Sequence, residues 1–324
     1  MHAIVVARTG DASVLEWVEK PDPVPGPGQI TIDVTLSGVN FADVMRRRGG
    51  YRGGPPPFTP GLDCAGTVRA VGAGVEGLRP GQRVAAFPDD GGYAEIAVAR
   101  PVLTYALPDA VPDEAGASLT MLVTAYNLLA TAAHVQPGES VVIHSAAGGV
   151  GTIALQMARA LGAGTIIAVA GGAEKGEIAH GLGADVTIDH SRDDVPERVG
   201  AATHGRGADV VLDAVGGATF DATLPLLAEF GRYCIYGQAS GEPGTVKTNV
   251  LHTGNRAVIG YSTGGYRAAR PEKLRPGVEG AFALVAADKV RIIEGARFAL
   301  RDAAAAHRHV ESRASHGKVL LSVP

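Results

Sequence analysis

The chain has 324 residues, room for about two domains, and its 29 Lys+Arg against 33 Asp+Glu give a formal net charge of -4. That balance offers no overall attraction to phosphate backbones or anionic lipid, so nucleic acid and membrane are not expected partners. Hydrophobic residues at 46% and charged residues at 19% exclude disorder throughout, and two distant cysteines, Cys64 and Cys234, exclude a disulfide framework or a cysteine-rich zinc site.

No apolar run approaches the ~18 residues of a membrane span, and the start Met1-His2-Ala3-Ile4 lacks the basic and long apolar regions of a leader. A reduced, cytoplasmic protein is expected. The 45 glycines point to tight turns and close backbone approaches around a small-molecule ligand.

In chain order, Ile30 to Val34, Gly66 to Val71 and Arg83 to Phe87 are β-branched runs separated by Pro/Gly turns, the pattern of a mostly β domain. From Ala115 to Ala133 apolar residues recur at helical spacing until Gln136-Pro137-Gly138 stops them, which puts a domain boundary near 120–135. Strands and helices then alternate. Val141 to His144, a glycine-rich turn, a helix over Ile153 to Leu161 and a strand Thr165 to Val169 make one β-α-β unit. Further strands at Val186–Ile188, Asp209–Leu212, Arg232–Tyr236 and Ala257–Gly260 bring the count to about six, that of a doubly wound parallel sheet of Rossmann type. The last segment predicts helices over Glu279–Ala287 and Arg301–Glu311 and a run from Lys318 to Val323.

Ala146-Ala147-Gly148-Gly149-Val150-Gly151 is a dinucleotide fingerprint with alanine in its first place. Ala147, Gly148, Gly149, Val150 and Gly151 would set bare N–H groups at a helix N-terminus against a pyrophosphate. About twenty residues on, an acidic residue for an NAD ribose is missing and the strand runs into Ala170-Gly171-Gly172-Ala173. Room at Gly171 and the charge of Lys175 favour a 2′-phosphate, hence NADPH; Glu174 reads as a solvated acid at a helix start.

Asn40-Phe41-Ala42-Asp43, Pro60-Gly61-Leu62-Asp63-Cys64-Ala65-Gly66, Gly81-Gln82-Arg83-Val84, Gly92-Tyr93-Ala94-Glu95, His144 to Gly151, Leu182-Gly183-Ala184-Asp185 and Gly317-Lys318-Val319 occur in this order. Together they resemble the zinc-independent quinone oxidoreductase branch of the medium-chain dehydrogenase/reductase superfamily, over nearly the whole chain. The resemblance implies an α/β chain with a GroES-like, mostly β catalytic domain from 1–122 and 264–324, a Rossmann domain at 123–263, and a homodimer. Zinc members carry a cysteine where this chain has Asn40 and a G-H-E where it has Gly61-Leu62-Asp63, so no metal is expected. His307, His309 and His316 read as solvated, since their spacing makes no helical ligand pair.

Without a metal to polarise a carbonyl, the fitting acceptors delocalise their own charge after hydride addition: quinones, enones or enoyl thioesters. The resemblance puts Tyr51 forward as proton or hydrogen-bond donor and Asn40 as a group orienting the nicotinamide amide or the substrate carbonyl. It also suggests Thr124 facing the nicotinamide, and Gln238, Lys318 and His190 on the cofactor side. Asp213 and Gly216 are expected to shape a turn. Met45 stands where such reductases often have a tyrosine, which favours a less planar substrate. Two other readings remain: an enoyl-thioester reductase of a fatty-acid or polyketide pathway, with Arg46, Arg47 and Arg48 receiving a carrier phosphate, and an NADPH-binding protein of structural or regulatory role.

Overall fold

The computed structural model describes residues 1–51 and 53–324. The chain forms two units, one of Met1–Leu122, Gly265–Ala286 and Arg291–Pro324, the other of Val123–Gly264 and Ala287–Val290.

The first unit is built on β1 (His2–Val6), β2 (Leu15–Glu19), β3 (Ile30–Val39), β4 (Cys64–Val71), β5 (Arg83–Ala86), β6 (Ile96–Ala99) and β7 (Thr104–Ala106). β1 and β2 form an antiparallel pair. β3 pairs antiparallel with both β4 and β6, and its alternate residues Ile30, Ile32 and Val34 pack with Val68 and Val84 into a core, as period-2 patterning requires. β3 runs five residues beyond the predicted end at Val34. Its last part, Thr35-Leu36-Ser37-Gly38-Val39, carries no clear alternation and is held by pairing on both sides. The predicted continuous helix over Ala115–Ala133 is instead three pieces: Asp113–Gly116, Leu119–Tyr126, and a π-helical stretch Asn127–Ala132. The first piece packs closely at Gly116, where a Cβ would lie 2.8 Å from Ala65 Cβ.

The second unit contains β8 (Val141–His144), β9 (Ile166–Ala170), β10 (Val186–Asp189), β11 (Ala208–Asp213), β12 (Leu227–Ile235) and β13 (Ala257–Gly260), all parallel, in spatial order β10-β9-β8-β11-β12-β13. Taken in chain order this is the 3-2-1-4-5-6 arrangement of the dinucleotide-binding sheet. β8 and β9 are buried at every position, which is why they read as unbroken apolar runs. Val142, Ile167, Val169, Ile188 and Val211 form the core beneath them.

The chain returns to the first unit through β14 (Glu294–Ala299) and β15 (Lys318–Ser322). β15 pairs with β3, which brings Lys318 beside the start of the helix Phe41–Arg48.

Candidate functional site

In the first unit Asn40, Asp43, Asp63 and Lys318 form a buried polar cluster. Asn40 precedes the helix Phe41–Arg48, and its backbone N–H donates to Asp43 Oδ2 at 3.0 Å, closing the first turn. Its side-chain Nδ2 donates to Asp63 Oδ1 at 2.9 Å, and its Oδ1 accepts from Lys318 Nζ at 3.1 Å. Lys318 Nζ also lies 3.5 Å from Asp63 Oδ1, and Asp63 Oδ2 accepts the Thr120 N–H at 2.7 Å. Gly38 makes this convergence possible: a Cβ there would overlap Lys318 Nζ, Asp63 Oδ1 and the Ala117 carbonyl.

Asn40, Asp43, Asp63 and Lys318 are all nearly inaccessible. Burial, and secondarily the neighbouring Asp63, push the Asp43 carboxyl up to about 6, against hydrogen bonds from Asn40 and Gly61 and the charge of Lys318. Burial likewise lowers the Lys318 ammonium, opposed by Asp63 and Asp43. The structure therefore brings together two predicted site residues, Asn40 and Lys318, and joins them through Asp63, which sequence reasoning did not single out. The amide of Asn40 is fully engaged inside the cluster, so it orients its neighbours more readily than an outside ligand.

Tyr51 lies beyond that helix and is 41% exposed. Among the three adjacent arginines, Arg47 and Arg48 both pair with Glu311, while the Arg46 guanidinium stacks over Phe58 at 3.9 Å. The histidine expectation needs correction at His307, which is fully buried, with Nε2 3.1 Å from the Tyr93 hydroxyl. Burial, with help from Arg47, lowers its pKa to about 3. The spacing of Ala303, Ala306 and His307, the buried stripe of the helix Ala303–Glu311, is the signal that was available. Among the described residues no group of three His, Cys, Asp or Glu side chains is placed to hold a metal.

In the second unit the fingerprint turn follows β8. Ser145 takes φ +52°, Gly148 N–H donates to the Ser145 carbonyl at 2.9 Å, and the helix Gly149–Ala160 begins with no side-chain cap. Its first-turn N–H groups therefore face the turn unsatisfied by any capping side chain, which suits an anion. A Cβ at Gly151 would collide with the Ser145 and Ala146 carbonyls, so the third glycine sets how closely helix and strand approach. Ala147, Gly149 and Val150 belong to the same turn. These features fit a pyrophosphate.

Gly171 and His190 meet at the ends of β9 and β10: a Cβ on Gly171 would lie 3.0 Å from His190 Nε2. Lys175 is half-buried near the start of the next helix, Ala173–Gly181, where Gly172 takes φ +84°. Gln238, by contrast, is exposed, its amide donating to the Gly241 carbonyl at 3.2 Å within its own loop. Asp213 accepts from the N–H groups of Val215 (2.6 Å) and Gly216 (3.2 Å) and from the Tyr233 hydroxyl (2.8 Å), fixing the turn after β11. His144, at the end of β8, lies 3.2 Å from Thr223 Oγ1 and is lowered to about 4 by burial, against the pull of Asp213.

Thr124 shares a 2.6 Å hydrogen bond with Thr263. The polar line continues from Thr263 to Tyr261 and from Tyr261 to Asn127, partners contributed by distant parts of the chain.

Two family models match: the alcohol dehydrogenase GroES-like domain over residues 26–109 and the zinc-binding dehydrogenase model over residues 149–278. The chain is 37% identical over 322 residues to a quinone oxidoreductase of Salmonella typhimurium, covering 97% of each protein. It superposes on a quinone oxidoreductase of Pseudomonas syringae with a TM-score of 0.92 at 34% identity, covering 99% of both chains. An Escherichia coli quinone oxidoreductase solved with NADPH gives 0.91 at 32% identity, covering 99% of this chain and all of that one.

Proposed function

The chain belongs to the zinc-independent quinone oxidoreductase branch of the medium-chain dehydrogenase/reductase superfamily, and on that premise we propose that it is an NADPH-dependent reductase of quinones or activated C=C bonds. The observation that carries this reading is the uncapped helix start at Gly149, behind a turn in which Gly151 has no room for a side chain, in a sheet of dinucleotide-binding order.

When bound, NADPH supplies a hydride from its reduced nicotinamide. In this reading the N–H groups at 149–151 hold the pyrophosphate, Gly171, whose missing side chain admits the His190 ring, flanks the adenosine ribose, and Lys175 with His190 meets its 2′-phosphate. Thr124, fixed by Thr263, presents its hydroxyl toward the nicotinamide, and Gln238 lies on the cofactor side. In the first unit Asp63 and Lys318 hold Asn40 in one rotamer, making Asn40 and Lys318 positioning residues at the vacated metal place. Tyr51 donates a hydrogen bond or a proton to the oxygen on which charge develops, a role that needs no metal when the acceptor delocalises that charge.

Stopped-flow NADPH oxidation over a panel of quinones, enones and enoyl thioesters tests the reading. Turnover of quinones or enones is expected, with Tyr51→Phe lowering kcat about tenfold or more; no turnover of any acceptor refutes it. Preference for thioesters alone would select the enoyl-thioester reading, for which Arg46, not paired with a carboxylate among the described residues, is the remaining candidate for a carrier phosphate. Tight NADPH binding without turnover would select the structural or regulatory reading.

We further propose a homodimer through the sheet edge. β13 is an outermost strand with half-exposed Ala257, Val258 and Ile259, the kind of edge that pairs with a second copy. Light scattering should give twice the chain mass of 33.0 kDa. The cytoplasm is the proposed location, since both thiols are unpaired and buried and no helix among the described residues is long and apolar enough to cross a membrane.

A further inference from the structure

Arg267, in the helix Thr263–Ala269 and within the first unit, is a half-buried guanidinium whose donors are mostly unmatched. It stacks over the Phe87 ring at 4.7 Å, and among the described residues its one hydrogen bond runs from Nη2 to the Pro88 carbonyl at 3.4 Å. A guanidinium carries five N–H donors in a fixed fork that matches a carboxylate. No carboxylate among the described residues comes within ion-pairing distance of it.

The acids in its surroundings are Asp63, Asp43 and Asp89, together with the phenol of Tyr51. Each acid is committed elsewhere. Asp63 is held by Lys318, Asn40 and Thr120. Asp43 accepts from the backbone of Asn40 and of Gly61, and Asp89 pairs with Arg100 at 2.9 Å. Arg267 thus carries a partly desolvated positive charge, within electrostatic reach of the proposed proton donor, with no carboxylate among the described residues paired to it. Desolvation of such a charge is costly unless something pairs with it, and beyond the Pro88 carbonyl the fork has no hydrogen-bond partner among the described residues.

We propose that Arg267 is a specificity-determining residue that clamps a carboxylate carried by the electron-poor acceptor, so that the preferred substrates are anionic enones or quinones. The inference rests on the reading that this unit receives such an acceptor. The carboxylate is not transformed; it fixes the acceptor's orientation relative to Tyr51, and the charge-assisted pair supplies discrimination against neutral isosteres.

The test compares trans-4-phenyl-4-oxobut-2-enoate with its primary amide in the full-length protein, and in Arg267→Met and Arg267→Lys. Wild type should favour the acid in kcat/KM by about tenfold or more, the range of a charged hydrogen bond. Arg267→Met should abolish that preference while leaving the amide within about threefold, and Arg267→Lys should retain part of it. Calorimetry with the saturated acid, 4-phenyl-4-oxobutanoate, supplies a readout without turnover: its Kd should rise about tenfold in Arg267→Met.

An unchanged acid-to-amide ratio, or an unchanged Kd, overturns the proposal. So does an equal loss for acid and amide with a lowered Tm, which would assign the guanidinium to balancing Asp43 and Asp63. If the acid binds in an Arg267-dependent way but nothing is reduced, the clamp stands and the reductase reading falls.

Discussion

Replacing Lys318 with Met keeps the length and apolar stem of the side chain but removes the ammonium from the centre of the buried cluster. Asp63 then loses a cation 3.5 Å away and Asn40 Oδ1 loses its 3.1 Å donor. Breaking a buried ion pair from one side typically costs about 3–5 kcal/mol, because the remaining charge is left in low dielectric. Asp63 keeps two donors, Thr120 N–H at 2.7 Å and Asn40 Nδ2 at 2.9 Å, which puts the expected loss at the lower end, about 3 kcal/mol. For a domain of roughly 150–250 residues that lowers Tm by about 6–12 °C. Adding Asp63→Asn removes the stranded charge and should recover about 2 kcal/mol, a coupling in the range found for contacting residues. Differential scanning calorimetry of wild type, Lys318→Met, Asp63→Asn and the double variant closes the cycle. A Lys318→Met midpoint within about 1 °C of wild type, or strictly additive losses, would refute the reasoning.

Acid should destabilise the protein more in wild type than in His307→Gln. The folded-state pKa of His307 is lowered to about 3 by burial, so its contribution is present above about 6.5 and is lost as pH falls from there to about 3. His144, lowered to about 4, acts in the same direction. Asp43, raised to about 6, works oppositely: its contribution is present below 3.8 and is lost as pH rises through about 6, so it offsets only part of the two histidines. Tm measured from pH 7.5 to 4 should fall less steeply in His307→Gln, and parallel curves would contradict this. Gly151→Ala places a methyl against the Ser145 and Ala146 carbonyls and should weaken NADPH binding by about tenfold or more, ~1.4 kcal/mol per decade, as read by calorimetry. Lys175→Ala should raise the Kd for NADPH about tenfold and leave that for NADH unchanged, since only the former carries the 2′-phosphate.

The parts of the site that were legible in the sequence are those enforced locally. Gly148, Gly149 and Gly151 mark the turn after β8, where a side chain at Gly151 would meet two carbonyls, and the proposed phosphate residues Gly171 and Lys175 follow one β-α-β unit later. The buried cluster was only half legible. Asn40 and Lys318 are 278 positions apart, and it is β15 pairing with β3 that joins them, a long-range register no short pattern encodes. Asp63 looked like the remnant of a lost metal motif, and only the contacts reveal it as the hub. His307 reads as solvated because its spacing to His309 and His316 makes no ligand pair, while the stripe Ala303, Ala306, His307 turns it inward against Tyr93. Thr263, Tyr261 and Asn127 escaped for the same reason as Asp63, since each is ordinary alone and acquires a role only through partners far away in the chain.

In the proposed reaction a hydride passes directly from NADPH to an electron-poor acceptor with no metal assisting. The most direct measurement follows deuterium from stereospecifically labelled [4-2H]NADPH into an enone, using protein dialysed against a strong chelator. The account predicts one deuterium on the β-carbon of the reduced product for each NADP+ formed from one of the two labelled epimers, at a rate that added zinc does not change. Product without deuterium from both epimers, or activity that vanishes on chelation and returns with zinc, would contradict it.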